Sequence, residues 1–300
     1  MNAPMNARQF DRATEDVGNI VHLEHFNVVQ NDQRLATLFY VVGLGGTRDP
    51  YIFVGLENMW INFGRTQVHL PSRGASPKPE RLRGTAGFVV PDLGELKARF
   101  ERIGPEMQRV APEVKGNQFS WQEKHGAVEA TCPWGNRFRC HTPSPEFGRT
   151  ELGLVYVDFD VPRGNANGIA RFYDQVMGAP AGAEAGRATV SVGRHQHLYF
   201  TETHSPLPEY DNHHIQIYIA DFSRPYRWLK ERDLITMETD AHEWRLQWIV
   251  DPADGRRLFQ VEHEVRSMKH PLFGRPLVNR NPAQRNVGYV PGQDAFRGTF

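Results

Sequence analysis

The stretch from His213 to Leu229, HHIQIYIADFSRPYRWL, constrains this chain more than any other. Ile215, Ile217 and Ile219 alternate with His214, Gln216 and Tyr218. A period of two makes a strand with one apolar and one polar face. Ser223 is suited to cap the helix that follows, with Pro225 in its first turn. Three other places carry a similar strand-then-helix unit, so the chain reads as four copies of one module. His214 lies on the polar face of this copy.

The other copies follow in order. IVHLEHFNVV is a strand with Phe26 and Val28 on one face and His25 and Asn27 on the other. DQRLATLFYVVGLGG is a helix ended by Gly43, with Leu35, Leu38 and Phe39 on one side. MWINFGRTQVHLP gives two strands broken at Gly64, and SRGASPKPERLRG is a loop. The second unit starts at GFVVPDLGELKARFERIG, with Asp92 as helix cap. The third opens on ELGLVYVDFDVP and continues into NGIARFYDQVMGAP, a helix ending at Gly178. RLQWIVDPADGRRLFQVEHEV closes the fourth as a hairpin turning at PADG. Residues 1–19 are polar and aperiodic and are expected to be mobile. The tail from about Ser267 is expected to lie extended over the body or to be partly loose.

A duplication links the halves. FYVVGLGG at 39–46 parallels FYDQVMGA at 172–179, and GRTQ at 64–67 parallels GRHQ at 193–196. The CPWG turn at 132–135 parallels DPADG at 251–255. Three matches in the same order point to a repeated domain. The 300 residues hold 35 basic and 35 acidic side chains, so charge favours neither nucleic acid nor an acidic membrane. No run approaches the ~18 apolar residues of a membrane span, and no signal-peptide core is present. Two cysteines, Cys132 and Cys140, fit packed thiols in a cytoplasmic protein.

HFNVVQNDQRLATLFYVVGLGG, GFVVPDLGELKARFERIG, HIQIYIADFSRPYRWLKERDL and DPADGRRLFQVEH resemble the recurring module of the vicinal oxygen chelate superfamily, which includes glyoxalases, bleomycin-resistance proteins and extradiol dioxygenases. The resemblance spans about residues 20–265. It implies an α+β fold of tandem βαβββ modules, in two glyoxalase-like domains with cupped mixed sheets. The corresponding boundaries are 1–19 for a flexible N-terminus, 20–145 and 151–265 for the two domains, and 266–300 for an extended tail.

It also implies a divalent metal in the second-half cup, Fe(II) or Mn(II) favoured and Zn or Ni possible. Residue by residue, His214 matches the first-strand ligand, and Gln260 or Glu262 the closing-strand carboxylate. Tyr156 stands where a His is common, with Asp158 as a further candidate ligand. The expected set is therefore His214, Glu262 and Asp158, with Tyr218 or Tyr199 as acid/base or orienting group. In the first half His25 matches a ligand position, with His69 and His141 near two others. Thr85 and Arg139 replace the remaining ligands, and a guanidinium repels a metal. Arg137 and Arg139 suit a substrate carboxylate instead. The first half thus reads as substrate-shaping or structural, or alternatively as an all-histidine site. The expected activity is that of a metal-dependent dioxygenase on a small substrate. A glyoxalase-type isomerase or a metal-free ligand binder is the alternative, and a homodimer is possible.

Overall fold

The computed structural model describes residues 15–52, 57–72, 78–110 and 117–280. Most of the expected mobile N-terminus, part of the loop at 72–84 and the end of the tail lie outside these residues.

All four modules form. The first holds β1 (Ile20–Asn27), α1 (Gln33–Ala36, running on as a π-helical turn, Thr37–Gly43), β2 (Thr47–Arg48), β3 (Asn58–Phe63) and β4 (Thr66–Pro71). The second holds β5 (Gly84–Val89), α2 (Leu93–Val110), β6 (Ser120–Lys124), β7 (Ala127–Thr131) and β8 (Arg137–His141). The third holds β9 (Gly153–Pro162), α3 (Ala166–Arg171, with a π-helical continuation, Phe172–Met177), β10 (Ala181–Glu184), β11 (Arg187–Ser191) and β12 (His197–Thr203). The fourth holds β13 (His214–Ile219), α4 (Ser223–Lys230), β14 (Ile235–Thr239), β15 (Glu243–Val250) and β16 (Arg257–Ser267).

The repeated Phe-Tyr pairs, Phe39–Tyr40 and Phe172–Tyr173, fall on the two widened helical turns and are fully buried. Asp92 caps α2 by accepting from Glu95 N at 2.8 Å. Ser223 does not cap α4. Asp221 reaches Arg224 N at 3.2 Å instead, because the helix already begins at Ser223. Cys132 and Cys140 are buried free thiols.

The modules assemble into two eight-stranded sheets in an unexpected pairing. One sheet runs β14-β15-β16-β13-β1-β4-β3-β2 and the other β10-β11-β12-β9-β5-β8-β7-β6. The first sheet therefore joins the first module to the fourth, and the second sheet joins the second to the third. The boundaries 20–145 and 151–265 each enclose modules that lie in different sheets. In each sheet the two opening strands meet antiparallel at the centre, β1 with β13 and β5 with β9. Each opening strand also runs parallel to the closing strand of its own module.

One continuous apolar core joins the helix-facing sides. Phe26 of β1 lies against Phe88 and Phe138 of the second sheet, and Phe39 stacks on Phe100 of α2. Between the sheets, Gln196 donates to Leu23 O and Leu154 O and accepts from Leu23 N. The tail crosses the first sheet. Phe273 packs on Tyr218, Arg275 pairs with Asp49 at 2.8 Å, and Asn279 bonds both backbone groups of Gly64.

His263, on the core side of β16, is fully buried and bonded to the Tyr173 hydroxyl at 2.5 Å. Burial pushes its pKa down to about 4. The unfolded chain takes up this proton near pH 6.5 and the folded chain only near 4, so the unfolded state binds more protons in that window. Stability should fall as pH drops from 6.5 to about 4, by about 1.4 kcal/mol per pH unit from this residue. Urea titrations across that range check it, and a His263→Asn variant should show a shallower slope.

Candidate metal centre

The regular alternation of β1 breaks between Leu23 and His25, where β1 holds one more residue than β13 opposite. Such a bulge re-aims side chains. Here it brings the Glu24 carboxylate beside the His25 ring, with Oε2 3.3 Å from Nδ1. His25 is fully buried, and its Nε2 has no hydrogen-bond partner.

The register fixes which residues surround it. His25 pairs with Gln216, and Asn27 pairs with His214. A two-fold axis through Phe26 and Ile215 therefore exchanges His25 with His214 and Asn27 with Gln216. In the closing strands, Asn27 aligns with His69 and Gln216 with Glu264. His69 and Glu264 are thus the second equivalent pair. Four positions face one hollow, two on opening strands and two on closing strands.

The distances agree. Ring nitrogens of His25, His69 and His214 lie within 4.8 Å of one another. Nε2 of His214 is buried without a hydrogen bond and stands 3.4 Å from Glu264 Oε2. Nitrogen ligands of a first-row metal sit about 2.0–2.1 Å from the ion, so the cluster needs only a small contraction to close on one. His69 is held more firmly. Its Nδ1 accepts from the Asn27 amide at 2.5 Å, and its Nε2 donates to Asn58 at 2.6 Å. Trp60 stacks on His69 at 3.8 Å and meets His25 edge-on at 4.8 Å. Gln216 is fully buried, and neither of its side-chain polar atoms has a partner.

Behind the hollow lies a buried charge network. Arg245 donates to Glu243, Glu262 and Glu264 at 2.9, 2.8 and 2.6 Å. Arg266 pairs with Glu24 at 3.4 Å, with Glu243 at 3.2 Å and with Glu264. Burial alone would raise the Glu264 carboxyl, but His214 and Arg266 hold it well below the usual carboxylate range. Burial works against Glu24 in the same way, and His25 and Arg266 override it. Burial keeps His25 below its ordinary pKa, and burial with the neighbouring histidines keeps His69 well below. Both rings are neutral at pH 7. Four carboxylates then face two guanidinium groups, so acids outnumber arginines by two.

The residues expected from the sequence divide between the sheets. His214 and Glu262 are register partners on β13 and β16, with Nδ1 and Oε1 3.7 Å apart. Glu264, two residues further on, is the residue equivalent to His69 and the more deeply buried acid. Asp158 is not with them. It lies on β9 in the other sheet, accepting from Thr201 at 2.8 Å and Arg187 at 3.0 Å. Tyr199 is there too, its ring 3.8 Å under the Arg187 guanidinium. A site shared with His214 would need the third and fourth modules in one sheet, and they lie in different ones. Tyr218 shares the polar face of β13 but stands four residues from His214, about 13 Å along a strand. Its hydroxyl donates to Glu24 at 3.4 Å. His141 lies in the second sheet, bonded to the Tyr156 hydroxyl at 2.9 Å, so it cannot complete a site with His25 and His69.

No protein-family model matches the chain, and no curated protein does. Solved structures do match. A candidate dioxygenase from Bacillus subtilis subsp. subtilis str. 168 superposes with a TM-score of 0.55 at 13% identity, over 86% of this chain and 91% of that one. The chain has a glyoxalase-like fold. Glyoxalase I from Zea mays gives a TM-score of 0.51 at 15% identity, over 81% of this chain and 92% of the maize protein. At such identities the likeness fixes the fold and leaves the chemistry to the site. No helix among the described residues is long and apolar enough to cross a membrane.

Proposed function

We propose that the chain is a metal-dependent enzyme of the extradiol dioxygenase type, acting on a small substrate that presents two adjacent oxygens. One observation carries this reading. His25 and His214 turn bare Nε2 atoms into a buried hollow beside Glu264, where acids outnumber arginines by two. Buried charge of that size calls for a counter-ion. Two histidines and one carboxylate with open positions suit Fe(II), or Mn(II) in its place. When bound, the ion supplies Lewis-acid chelation of the two substrate oxygens.

The chain's own groups do the rest. Glu24 holds the His25 ring by Nδ1 and so fixes which nitrogen faces the hollow. Arg245 and Arg266 keep Glu264 ionised and in place. The unpartnered Gln216 amide offers a donor and an acceptor to a substrate oxygen. Trp60 and the fixed His69 form a flat wall against which a planar ring can lie.

A second reading is a glyoxalase-type isomerase. It is favoured by the equivalence of His69 and Glu264, which would make four protein ligands if the Asn58 and Asn27 bonds to His69 were exchanged for the ion. Protein dialysed against Fe(II) or Mn(II) without oxygen is expected to retain about one ion per chain by elemental analysis. It should then consume oxygen with a catechol. Conversion of a hemithioacetal without oxygen uptake moves the assignment to the isomerase. Failure to retain Fe, Mn, Zn or Ni sinks both and leaves a metal-free ligand binder.

A further inference from the structure

The second sheet repeats the same two-fold with different chemistry. Thr85 pairs with Asp158, and Gly87 pairs with Tyr156. An axis through Ala86 and Val157 therefore exchanges Thr85 with Tyr156. In the closing strands Gly87 aligns with Arg139, and Asp158 with Tyr199. The four positions that hold three histidines and a glutamate in the first sheet here hold Thr85, Tyr156, Arg139 and Tyr199. None is an imidazole or a carboxylate, and one is a permanent cation.

Over this face lies a cavity of about 470 Å³, reached by Thr85, Gln122, Glu129, Arg139 and Tyr156. That volume is ample for a small molecule. The described charged groups around it are tied in ion pairs except Arg139 and Glu129. Arg137 is tied to Asp160 and to Gly84 O, and Arg187 is tied to Asp158. Among the described residues no carboxylate lies within ion-pairing distance of Arg139, and its buried Nε has no partner. Glu129, its register partner on β7, accepts instead from Gln122 at 3.0 Å. Gly87 is what brings Tyr156 to this floor, because a Cβ there would run into the tyrosine ring. Burial and Arg139 push His141 down to about 4, so it partners the Tyr156 hydroxyl as a neutral ring and adds no second cation.

We infer that this second cup is a metal-free binding site for a small hydroxylated organic carboxylate, whose carboxylate sits on Arg139 and whose hydroxyls meet Glu129, Gln122 and Thr85. A guanidinium fork matches a planar carboxylate by two parallel hydrogen bonds. Among the described residues Arg139 is the one guanidinium of this face outside an ion pair, and with Glu129 opposite it on β7 it suits a monoanion at most. Glu129 and Asp158 in the same wall disfavour a dianion such as phosphate, while Glu129 accepts from a hydroxyl.

Gluconate, sorbitol and inorganic phosphate serve as probes in calorimetric titrations of the full chain. Gluconate should bind saturably, and sorbitol, which lacks the carboxylate, should not. Arg139→Gln should weaken gluconate at least about tenfold, the scale of a lost charge-assisted bond. Arg139→Lys should fall between, and thermal denaturation should show both variants folded. His214→Ala should bind gluconate as the unaltered protein does, which separates this site from the proposed metal centre. The inference is overturned if gluconate shows no binding up to about 10 mM, a very weak affinity. It is equally overturned if Arg139→Gln binds gluconate unchanged, or if phosphate binds and gluconate does not.

Discussion

A His214→Ala variant should retain less than about a tenth of the metal held by the unaltered protein, because it removes a ligand outright, whereas outer partners of a metal site cost about 10–100-fold in affinity. His214 presents a bare Nε2 to the hollow and stands 3.4 Å from Glu264. Its side chain makes no hydrogen bond to the backbone of a neighbouring strand, and alanine keeps the ladder pairing, so the fold should survive the change. Glu24→Gln acts one step back. It keeps the side chain's shape but weakens the acceptor that fixes His25, and its metal affinity should fall about 10–100-fold. Asp158→Asn should leave metal content untouched, because Asp158 belongs to the other sheet. Elemental analysis of the three variants side by side reads all of this. Metal kept by His214→Ala, or lost equally by Asp158→Asn, would remove the assignment.

These residues were unequally legible in the sequence. Alternation is local, so the polar faces carrying His25 and His214 could be read directly from IVHLEHFNVV and HHIQIYI. That those two faces meet could not. Pairing of β1 with β13 joins segments nearly the whole chain apart, and any of the four opening strands satisfies the same pattern. Asp158 and Tyr199 would join His214 only if the third and fourth modules shared a sheet, and they do not. Glu262 and Glu264 pose a subtler problem. A period of two puts both on one face, and only the register decides which is equivalent to His69. That register is the β13–β16 pairing, which sets His214 against Glu262 and Gln216 against Glu264, and no local pattern announces it. The bulge that seats Glu24 against His25 likewise leaves no motif, since a break in alternation looks like noise. Arg139 was legible for the opposite reason, because a permanent cation at a ligand position conflicts with metal binding wherever the strand pairs.

Replacing Arg266 with methionine should destabilise the metal-free protein by about 3–5 kcal/mol, the cost of stranding buried charge partners. Methionine fills much of the same volume, so cavity formation contributes little. What disappears is the cation shared by Glu24, Glu243 and Glu264, all of them buried. The loss should depend on pH. Arg266 helps hold the Glu24 and Glu264 carboxyls low, and without it burial raises them. The folded variant then binds more protons than its unfolded chain just above the ordinary carboxylate range. Its stability therefore declines as pH rises there, and the deficit is larger at pH 8 than at pH 5. Urea titrations at the two pH values measure it, with Arg232→Met on the exposed surface as a control expected within about 0.5 kcal/mol. A deficit under about 1 kcal/mol, or one that shrinks with rising pH, contradicts the network as described. The same variant also probes the hollow in front of it. Removing Arg266 raises the local excess of acids over arginines from two to three, so a cation in the hollow should recover more stability in Arg266→Met than in the unaltered protein. Equal recovery in both would place the ion elsewhere.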